Sequence, residues 1–218
     1  MKFKKLKIFG KMQPQSIEKH SLYYNIKDAC ESKYCPICFL LDKKERQYIE
    51  SIFYEYVNDP LLRKKLRDAQ GLCQGHVKLF LKYGDAFALA IFANDLVHNF
   101  IEDWNEHIKL SECSLCKSFM QNEKRLVDAF VEYLALEKFW QALENSTGLC
   151  LQHFYMTYQQ CPDKKMKIRL LNWQKQMFSR HKELLGSFID KNNASCPHDD
   201  INVDEGQSYQ VVWHLLKK

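Results

Sequence analysis

The chain has 218 residues with 46% apolar side chains, which is enough for one large or two small folded domains and argues against global disorder. Its seven glycines and five prolines are too few for a β-sandwich of many short strands, so long helices are favoured. The net charge of +5 comes from five lysines within residues 1–11. The rest of the chain has 27 basic and 27 acidic residues, a balance that argues against a broad basic surface for nucleic acid.

Residues 1–29 are predicted to form a basic N-terminal tail and a lead-in to the fold. Lysines interrupt the apolar residues of the first eleven positions, so the continuous apolar core of a signal peptide is missing. The sequence also has no run of about 18 apolar residues, the length that a membrane-spanning helix needs. We therefore expect a cytoplasmic protein without a transmembrane segment.

Residues 30–110 are predicted to form a helical metal-binding repeat. The first helix is indicated by apolar side chains at helical spacing, namely Leu41, Tyr48, Ile52 and Tyr56. Asn58-Asp59-Pro60 ends this helix and starts a second one, which ends near Gly71. A third helix runs from Cys73 to about Tyr83. A fourth is indicated by an apolar stripe, formed by Phe92, Leu96, Phe100 and Trp104.

Residues 111–191 are predicted to form a second repeat on the same plan. Helices are expected over about Leu115–Leu134 and about Glu137–Asn145, and another begins at Cys150. A long helix then carries regularly spaced apolar side chains, namely Met166, Leu170, Trp173, Met177, Leu184 and Phe188. Residues 192–218 are expected to form a tail whose apolar end packs back on the body. The predicted fold is therefore all-α: two tandem helical repeats, a long C-terminal helix and a short tail.

Two cysteine motifs occur twice at nearly the same offset. Cys35-Pro36-Ile37-Cys38 aligns with Cys113-Ser114-Leu115-Cys116 at 78 residues, and Gly71-Leu72-Cys73-Gln74-Gly75-His76 aligns with the block from Gly148 to His153 at 77. A gap of one residue reconciles the two offsets, and Glu45 then matches Glu123. A period this long indicates a duplicated small module rather than a solenoid.

These motifs predict two metal sites, each with three cysteines and one histidine. We assign Cys35, Cys38, Cys73 and His76 to the first site, and Cys113, Cys116, Cys150 and His153 to the second. Three thiolates and one imidazole form a closed tetrahedral zinc site that leaves no position for a substrate water. Each repeat would thus be stapled by one zinc ion. An iron–sulfur cluster at the same cysteines is the alternative, although clusters usually take only cysteine ligands.

The same residues carry a resemblance to a known family. The stretch from Tyr34 to about Asp103 resembles an uncharacterised bacterial and archaeal family known only as a domain of unknown function. The matching elements are Cys35-Pro36-Ile37-Cys38, Asn58-Asp59-Pro60 with Arg63, Gly71-Leu72-Cys73 with His76, and the run from Gly84 to Ile91. The second repeat is similar to the family through its own cysteine motifs. The resemblance supports the ligand sets and implies no activity.

Other polar groups are expected to have structural or solvent-exposed roles and not to form functional sites. Asp95 and His98, with Glu102 and Glu106, share a helix face, but a di-iron site needs a second Glu-x-x-His partner, so a solvated face is expected. Cys196-Pro197-His198 with Asp199 is too short a ligand set by itself. Cys30 and Cys161 are expected to be buried structural thiols, and His181 a packed, hydrogen-bonded histidine.

The sequence leaves the biological role open between several classes. No catalytic constellation stands out, so an enzyme is not favoured. A zinc-stapled adaptor that binds another protein is the leading hypothesis, and a redox or thiol-sensor protein is the second. Nucleic-acid binding is less favoured and would use two basic clusters, Arg63-Lys64-Lys65-Arg67 and Lys164-Lys165-Lys167-Arg169.

Overall fold

The structure is a computed structural model that describes residues 21–103, 111–193 and 201–217. These residues form ten helices and no strand. The helices are α1 Ser21–Ala29, α2 Pro36–Glu55, α3 Pro60–Asp68, α4 Gln74–Tyr83, α5 Ala86–Asp103, α6 Ser114–Tyr133, α7 Glu137–Glu144, α8 Leu151–Gln160, α9 Lys164–Lys191 and α10 Val203–Leu215. The predicted all-α class and the long C-terminal helix, α9, are confirmed. No helix in the described ranges is both long and apolar enough to cross a membrane.

The helix boundaries follow local chemistry that the sequence displays. Asp59 caps α3, since its Oδ1 accepts from the backbone N–H of Leu62 at 2.6 Å, and Pro60 occupies the first turn. Asp163 caps α9 in the same way through the N–H of Met166 at 2.8 Å. Gly71 and Gly148 have φ values of +108° and +94°, a left-handed conformation that favours glycine. Each glycine lies two residues before the cysteine of a Cys-x-x-His motif.

The chain divides into two compact units whose boundaries do not follow the sequence repeats. The central unit is Leu41–Arg125, and the terminal unit contains the described residues up to Leu40 and from Leu126 onward. Both boundaries fall inside long helices, α2 and α6. The compact units therefore do not coincide with the two predicted repeats.

The central unit has its own apolar core. α3 packs against α5, and the buried side chains at its centre are Ile49, Ile52, Leu62, Leu66, Phe80, Phe92, Cys113 and Leu115. Phe53 and Phe80 meet edge to face with ring centroids 4.9 Å apart. Because Cys113 belongs to this core and Cys73 and Cys116 pack against it, three of the candidate ligands are held by apolar packing.

The terminal unit has a second core, to which α6, α7 and α9 contribute. Its fully buried side chains include Ile26, Leu126, Phe130, Phe139, Leu143, Leu149, Leu170, Met177 and Leu215. Phe130 and Phe139 meet edge to face at 5.1 Å. α10 packs along α9, and its residue Leu215 is fully buried. The apolar end of the chain thus packs on the long helix, as a helix rather than an irregular tail.

A capping box and a partly buried ion pair stabilise α10 and its packing on α9. Asn202 and Glu205 cap the start of α10 reciprocally, and Glu205 accepts from Lys191 Nζ at 2.8 Å and from Ser187 Oγ at 2.7 Å. The hydrogen bonds from Lys191, then Ser187 and the Asn202 N–H, lower the Glu205 pKa from its ordinary 4.5 to about 2.

The docking of α10 should therefore depend on pH. A pKa that is lower in the folded chain gives stability that is present above about pH 4.5 and is lost as pH falls towards 2. Hydrogen exchange of the α10 amides should accelerate over this range in the wild type, and the Glu205→Gln variant should lack this component. Because the two proteins are compared at the same pH, the protonation of other groups affects both equally and does not contribute to the difference. An identical pH profile in both would contradict the prediction.

Candidate metal centres

Eight cysteine and histidine side chains gather in two groups of four. Site A consists of Cys35, Cys38, Cys150 and His153, and site B consists of Cys73, His76, Cys113 and Cys116. Within each group, one ligand atom per residue lies within 4.8 Å of all the others. These are the only such groups among residues 21–103, 111–193 and 201–217. The eight residues are the ones that the sequence motifs predict as ligands.

The grouping corrects the predicted pairing. The sequence predicts that each Cys-x-x-Cys motif shares a metal site with the Cys-x-x-His motif of its own repeat. Instead, site A combines the Cys-x-x-Cys of the first repeat with the Cys-x-x-His of the second, and site B combines the other two motifs. All of site A lies in the terminal unit and all of site B in the central unit. Each group is thus built within one compact unit, from both repeats.

Helix starts position every ligand. The carbonyls of Cys35, Cys73, Cys113 and Cys150 accept the first intrahelical hydrogen bonds of α2, α4, α6 and α8, at 2.8 to 3.2 Å. The second ligand of each motif follows three residues later in the first turn, on the same side of the helix. The Cys73 sulfur lies 3.1 Å from His76 Nδ1, and the Cys150 sulfur lies 3.2 Å from His153 Nδ1. Their sulfurs therefore face the ligand group, and the positive end of each helix dipole stabilises thiolate.

The interatomic distances fit one tetrahedral ion per site. In site A, His153 Nδ1 lies 3.5, 3.2 and 3.2 Å from the sulfurs of Cys35, Cys38 and Cys150. In site B, His76 Nδ1 lies 3.1, 3.5 and 3.4 Å from those of Cys73, Cys113 and Cys116. Bond lengths of zinc to sulfur and nitrogen imply S–N edges of about 3.6 Å and S–S edges of about 3.8 Å. The observed distances between sulfur and nitrogen, 3.1 to 3.5 Å, are slightly shorter than this ideal value.

The electrostatics of the groups also fit a cation. Burial, together with hydrogen bonding and repulsion from the Cys73 and Cys113 thiols, raises the Cys116 pKa to about 12. Burial raises the Cys73 pKa as well, but hydrogen bonds from the backbone N–H and the imidazole of His76 outweigh it and lower the value to about 6. In site A, burial opposes the charged imidazole, yet the sulfurs of Cys150 and Cys38 raise the His153 pKa to about 10. Three thiolates this close together repel one another, and a divalent cation offsets that repulsion.

Three residues that support the sites have no ligand signature in the sequence. Glu45 Oε1 lies 2.9 Å from His76 Nε2, the nitrogen that faces away from the sulfurs, although the N–H is poorly aligned with the oxygen. Phe119 stacks on the His76 ring at 5.6 Å. Gln174 of α9 binds both the N–H and the carbonyl of Leu149, at 3.0 and 2.9 Å, and so fixes the backbone before Cys150. The only signal for any of them is the match of Glu45 with Glu123 in the repeat.

Glu45 should control metal affinity at site B. A carboxylate on the outer nitrogen of a metal-binding histidine fixes its tautomer and orientation, and loss of such a partner typically costs about 10–100-fold in affinity. Glu45→Ala should lower the zinc affinity of site B about 10–100-fold, as measured by competition with a chromogenic chelator. Glu50→Ala is the matched control, because Glu50 lies on the same helix and pairs with Arg46 at the surface. Equal affinities in the two variants would refute the role of Glu45.

The remaining predicted candidates take structural roles where they are described. Asp95 accepts hydrogen bonds from Arg63 and Arg67, which lower its pKa, so it belongs to an ion-pair cluster and not to a metal site. His98 and Glu102 lie 3.4 Å apart on the exposed face. Glu106, Cys196, His198, Asp199 and the lysines of residues 1–11 lie outside the described residues.

The expected packing roles of Cys30, Cys161 and His181 are confirmed. Cys30 is buried and its thiol donates to the Ile26 carbonyl at 3.2 Å; burial, with Glu31 and Asp28 nearby, raises its pKa to about 12. Cys161 is also buried, and burial raises its pKa. His181 is buried with Nε2 2.8 Å from the Thr147 carbonyl oxygen. The two thiols are therefore poor nucleophiles.

Comparison with known proteins confirms the resemblance to an uncharacterised family. Residues 19–112 match a family described as a family of unknown function (DUF6062). The chain is also similar to the uncharacterized 23.9 kDa protein in the xynA 3′ region of Caldicellulosiruptor sp. (strain Rt8B.4), with 24% identity over 192 residues that cover 83% of this chain and 91% of the other. No solved structure matches the chain. These relatives assign no activity.

Proposed function

We propose that the chain is a zinc-binding helical protein in which both Cys3His sites are structural and the helical body binds another protein. The observation that carries the zinc assignment is the closed set of three sulfurs and one nitrogen in each group, at distances suited to one tetrahedral ion. An iron–sulfur cluster distributes its cysteine ligands over several iron atoms, which calls for a wider set of sulfurs. Since thiolate ligands must stay reduced, this proposal places the protein in the cytoplasm.

The metal content of protein purified without oxygen tests this assignment directly. We expect two zinc ions per chain, matching the two groups, and no acid-labile sulfide. Iron with sulfide would overturn the zinc assignment and favour electron transfer or sensing. A protein with full helicity and no bound metal would overturn the structural role of both groups.

An apolar surface on the central unit supports the adaptor role. An open cavity of about 150 Å³ between α3, α4 and α5 is lined by Leu66, Leu72, Val77, Phe80, Leu81, Leu89, Phe92, Ala93 and Leu96. Within this lining Leu81 is 67% and Val77 41% exposed, and Ala93 of α5 is exposed as well. A separate stripe on α5, formed by Phe87, Val97 and Ile101, follows the spacing of one helix face with Ala90 and Asn94 and is not part of the lining. A protein that presents an apolar helix is the partner that such a groove accommodates.

The surface can be tested with charged substitutions. Leu81→Glu and Ala93→Glu should abolish co-purification of a specific partner from the native host while zinc content stays unchanged, because both residues line the cavity. Ile189→Glu is the matched control, since Ile189 is comparably exposed, at 57%, on α9. If all three variants retain the same partners as the wild type, this surface is not the binding site.

The basic clusters do not strengthen the nucleic-acid hypothesis. Arg63 and Arg67 are engaged by Asp95, and Lys64 pairs with Asp68 at 2.8 Å. Arg169 pairs with Glu137 at 2.6 Å and lies over the Trp140 ring at 4.2 Å. Charges that are paired within the protein contribute less to phosphate binding.

A further inference from the structure

The two sites differ in how far their sulfurs are shielded from solvent. All four residues of site A are buried. In site B, His76 and Cys113 are buried, whereas Cys73 and Cys116 are partly exposed. The two sites have the same ligand types and nearly the same internal distances, so access of reagents is the property that separates them.

The Cys-x-x-His motifs of the two sites differ at the residue directly before the histidine. Site B has Gly75 directly before its histidine, and site A has Gln152 at the matching position. A Cβ atom built on Gly75 would have only the Cys73 sulfur within 4 Å, at 3.9 Å. The space beside this sulfur is therefore open in site B because residue 75 has no side chain.

The two partly exposed cysteines of site B are also neighbours. Cys73 Sγ and Cys116 Sγ lie 3.5 Å apart and start different helices, α4 and α6. Site A has an equally close pair, Cys38 Sγ and Cys150 Sγ at 3.6 Å, but both residues are buried. Proximity alone would make both pairs able to form a disulfide, whereas only the site B pair is within reach of a dissolved oxidant.

We propose that Cys73 and Cys116 form a peroxide-sensitive modification site, reached through the opening at Gly75, while site A resists oxidation. One thiolate sulfur of the pair attacks an oxygen of hydrogen peroxide, the O–O bond breaks, and a sulfenic acid and a hydroxide ion form. The other thiolate then attacks the sulfenic sulfur, the S–O bond breaks, and a disulfide and a second hydroxide form. In total, two thiolates lose two electrons to one peroxide.

Oxidation would dismantle site B selectively. The disulfide removes two of the four ligands, and Cys113 and His76 alone are a poor zinc site. The starts of α4 and α6 in the central unit would lose the ion that stabilises them, and a thiol reductant would restore both thiolates. This inference rests on the proposed zinc binding, and it adds that one of the two sites responds to oxidants.

Stepwise oxidation of the zinc-loaded protein tests the inference. The protein carries Cys196→Ser, because that cysteine lies outside the described residues and could react independently. Hydrogen peroxide is added in increments, zinc release is followed with a chromogenic chelator, and disulfides are mapped by peptide mass spectrometry. We expect half of the bound zinc to be released first, together with a Cys73–Cys116 disulfide, while Cys35, Cys38 and Cys150 stay reduced. Simultaneous release from both sites, or earlier oxidation of site A, would overturn the inference.

Exchange of the residue before the histidine gives matched variants. Gly75→Gln places in site B the residue that site A has, and it should slow the first phase of zinc release. Gln152→Gly makes the reverse change and should speed the second phase. A first phase as fast in Gly75→Gln as in the parent would refute the role of the opening. Protein that contains no zinc before oxidation would instead refute the proposed function, so the two failures are distinguishable.

Discussion

A chain with Cys38→Ser and Cys73→Ser will lose zinc from both sites, whereas a chain with Cys38→Ser and Cys150→Ser will keep one zinc ion. The reason is that Cys38 and Cys150 share site A, while Cys73 belongs to site B. Pairing within each repeat would give a different result, since Cys38 and Cys73 would then share one site and one zinc ion would remain. The measurement is the zinc content of each purified variant.

A second measurement on the unmodified chain guards against variants that fail to fold. Partial removal of zinc followed by alkylation should label the cysteines in two sets. We expect Cys35, Cys38 and Cys150 to become reactive together, and Cys73, Cys113 and Cys116 to become reactive together. If Cys35, Cys38 and Cys73 were labelled as one set, the grouping of the motifs described above would be wrong.

Complete removal of zinc by a strong chelator should unfold both units. Structural zinc contributes on the order of 10–16 kcal/mol in small zinc domains, whereas whole domains are stable by only about 5–15 kcal/mol. Loss of the ion would also leave three close sulfurs at the starts of helices, with no cation to offset their repulsion. We expect a large loss of helical circular dichroism and of the thermal unfolding transition, with the same concentration of zinc-saturated chelator as the control.

Hydrogen exchange should locate this unfolding. The amides near the starts of α2, α4, α6 and α8 should lose protection first, because these helices begin at the ligands. Since protons compete with zinc for thiolate and imidazole, acid should produce the same change, and a return to neutral pH with added zinc should reverse it. Metal-free protein with unchanged helicity and melting would show that the ions do not stabilise the fold.

Much of the architecture is readable from local sequence chemistry. Asn58-Asp59-Pro60 predicts a helix start because proline suits the first turn of a helix, and in the structure α3 begins at Pro60. The Cys-x-x-Cys and Cys-x-x-His spacings predict ligand pairs because residues three apart lie on one side of a helix. All eight predicted ligands fall in the two groups for this reason.

Supporting residues were less predictable, since their roles depend on contacts between distant helices. Beyond its match with Glu123 in the sequence, nothing indicates a role for Glu45 until the structure shows His76 beside it. In the sequence Gln174 is an ordinary polar residue of α9. Its supporting role is visible only in the structure, where its amide forms hydrogen bonds with the backbone of Leu149. The exposure of site B likewise depends on packing around Cys73 and Cys116.

The sequence by itself determined the helical class and the identity of the eight ligands, while the tertiary structure decided which motifs share a site. Phe80 of α4 is buried in the same apolar core as Cys113 and Leu115 at the start of α6, and Cys73 and Cys116 pack against that core. This packing joins the first Cys-x-x-His motif to the second Cys-x-x-Cys motif, so each site takes half of its ligands from each of the two predicted repeats.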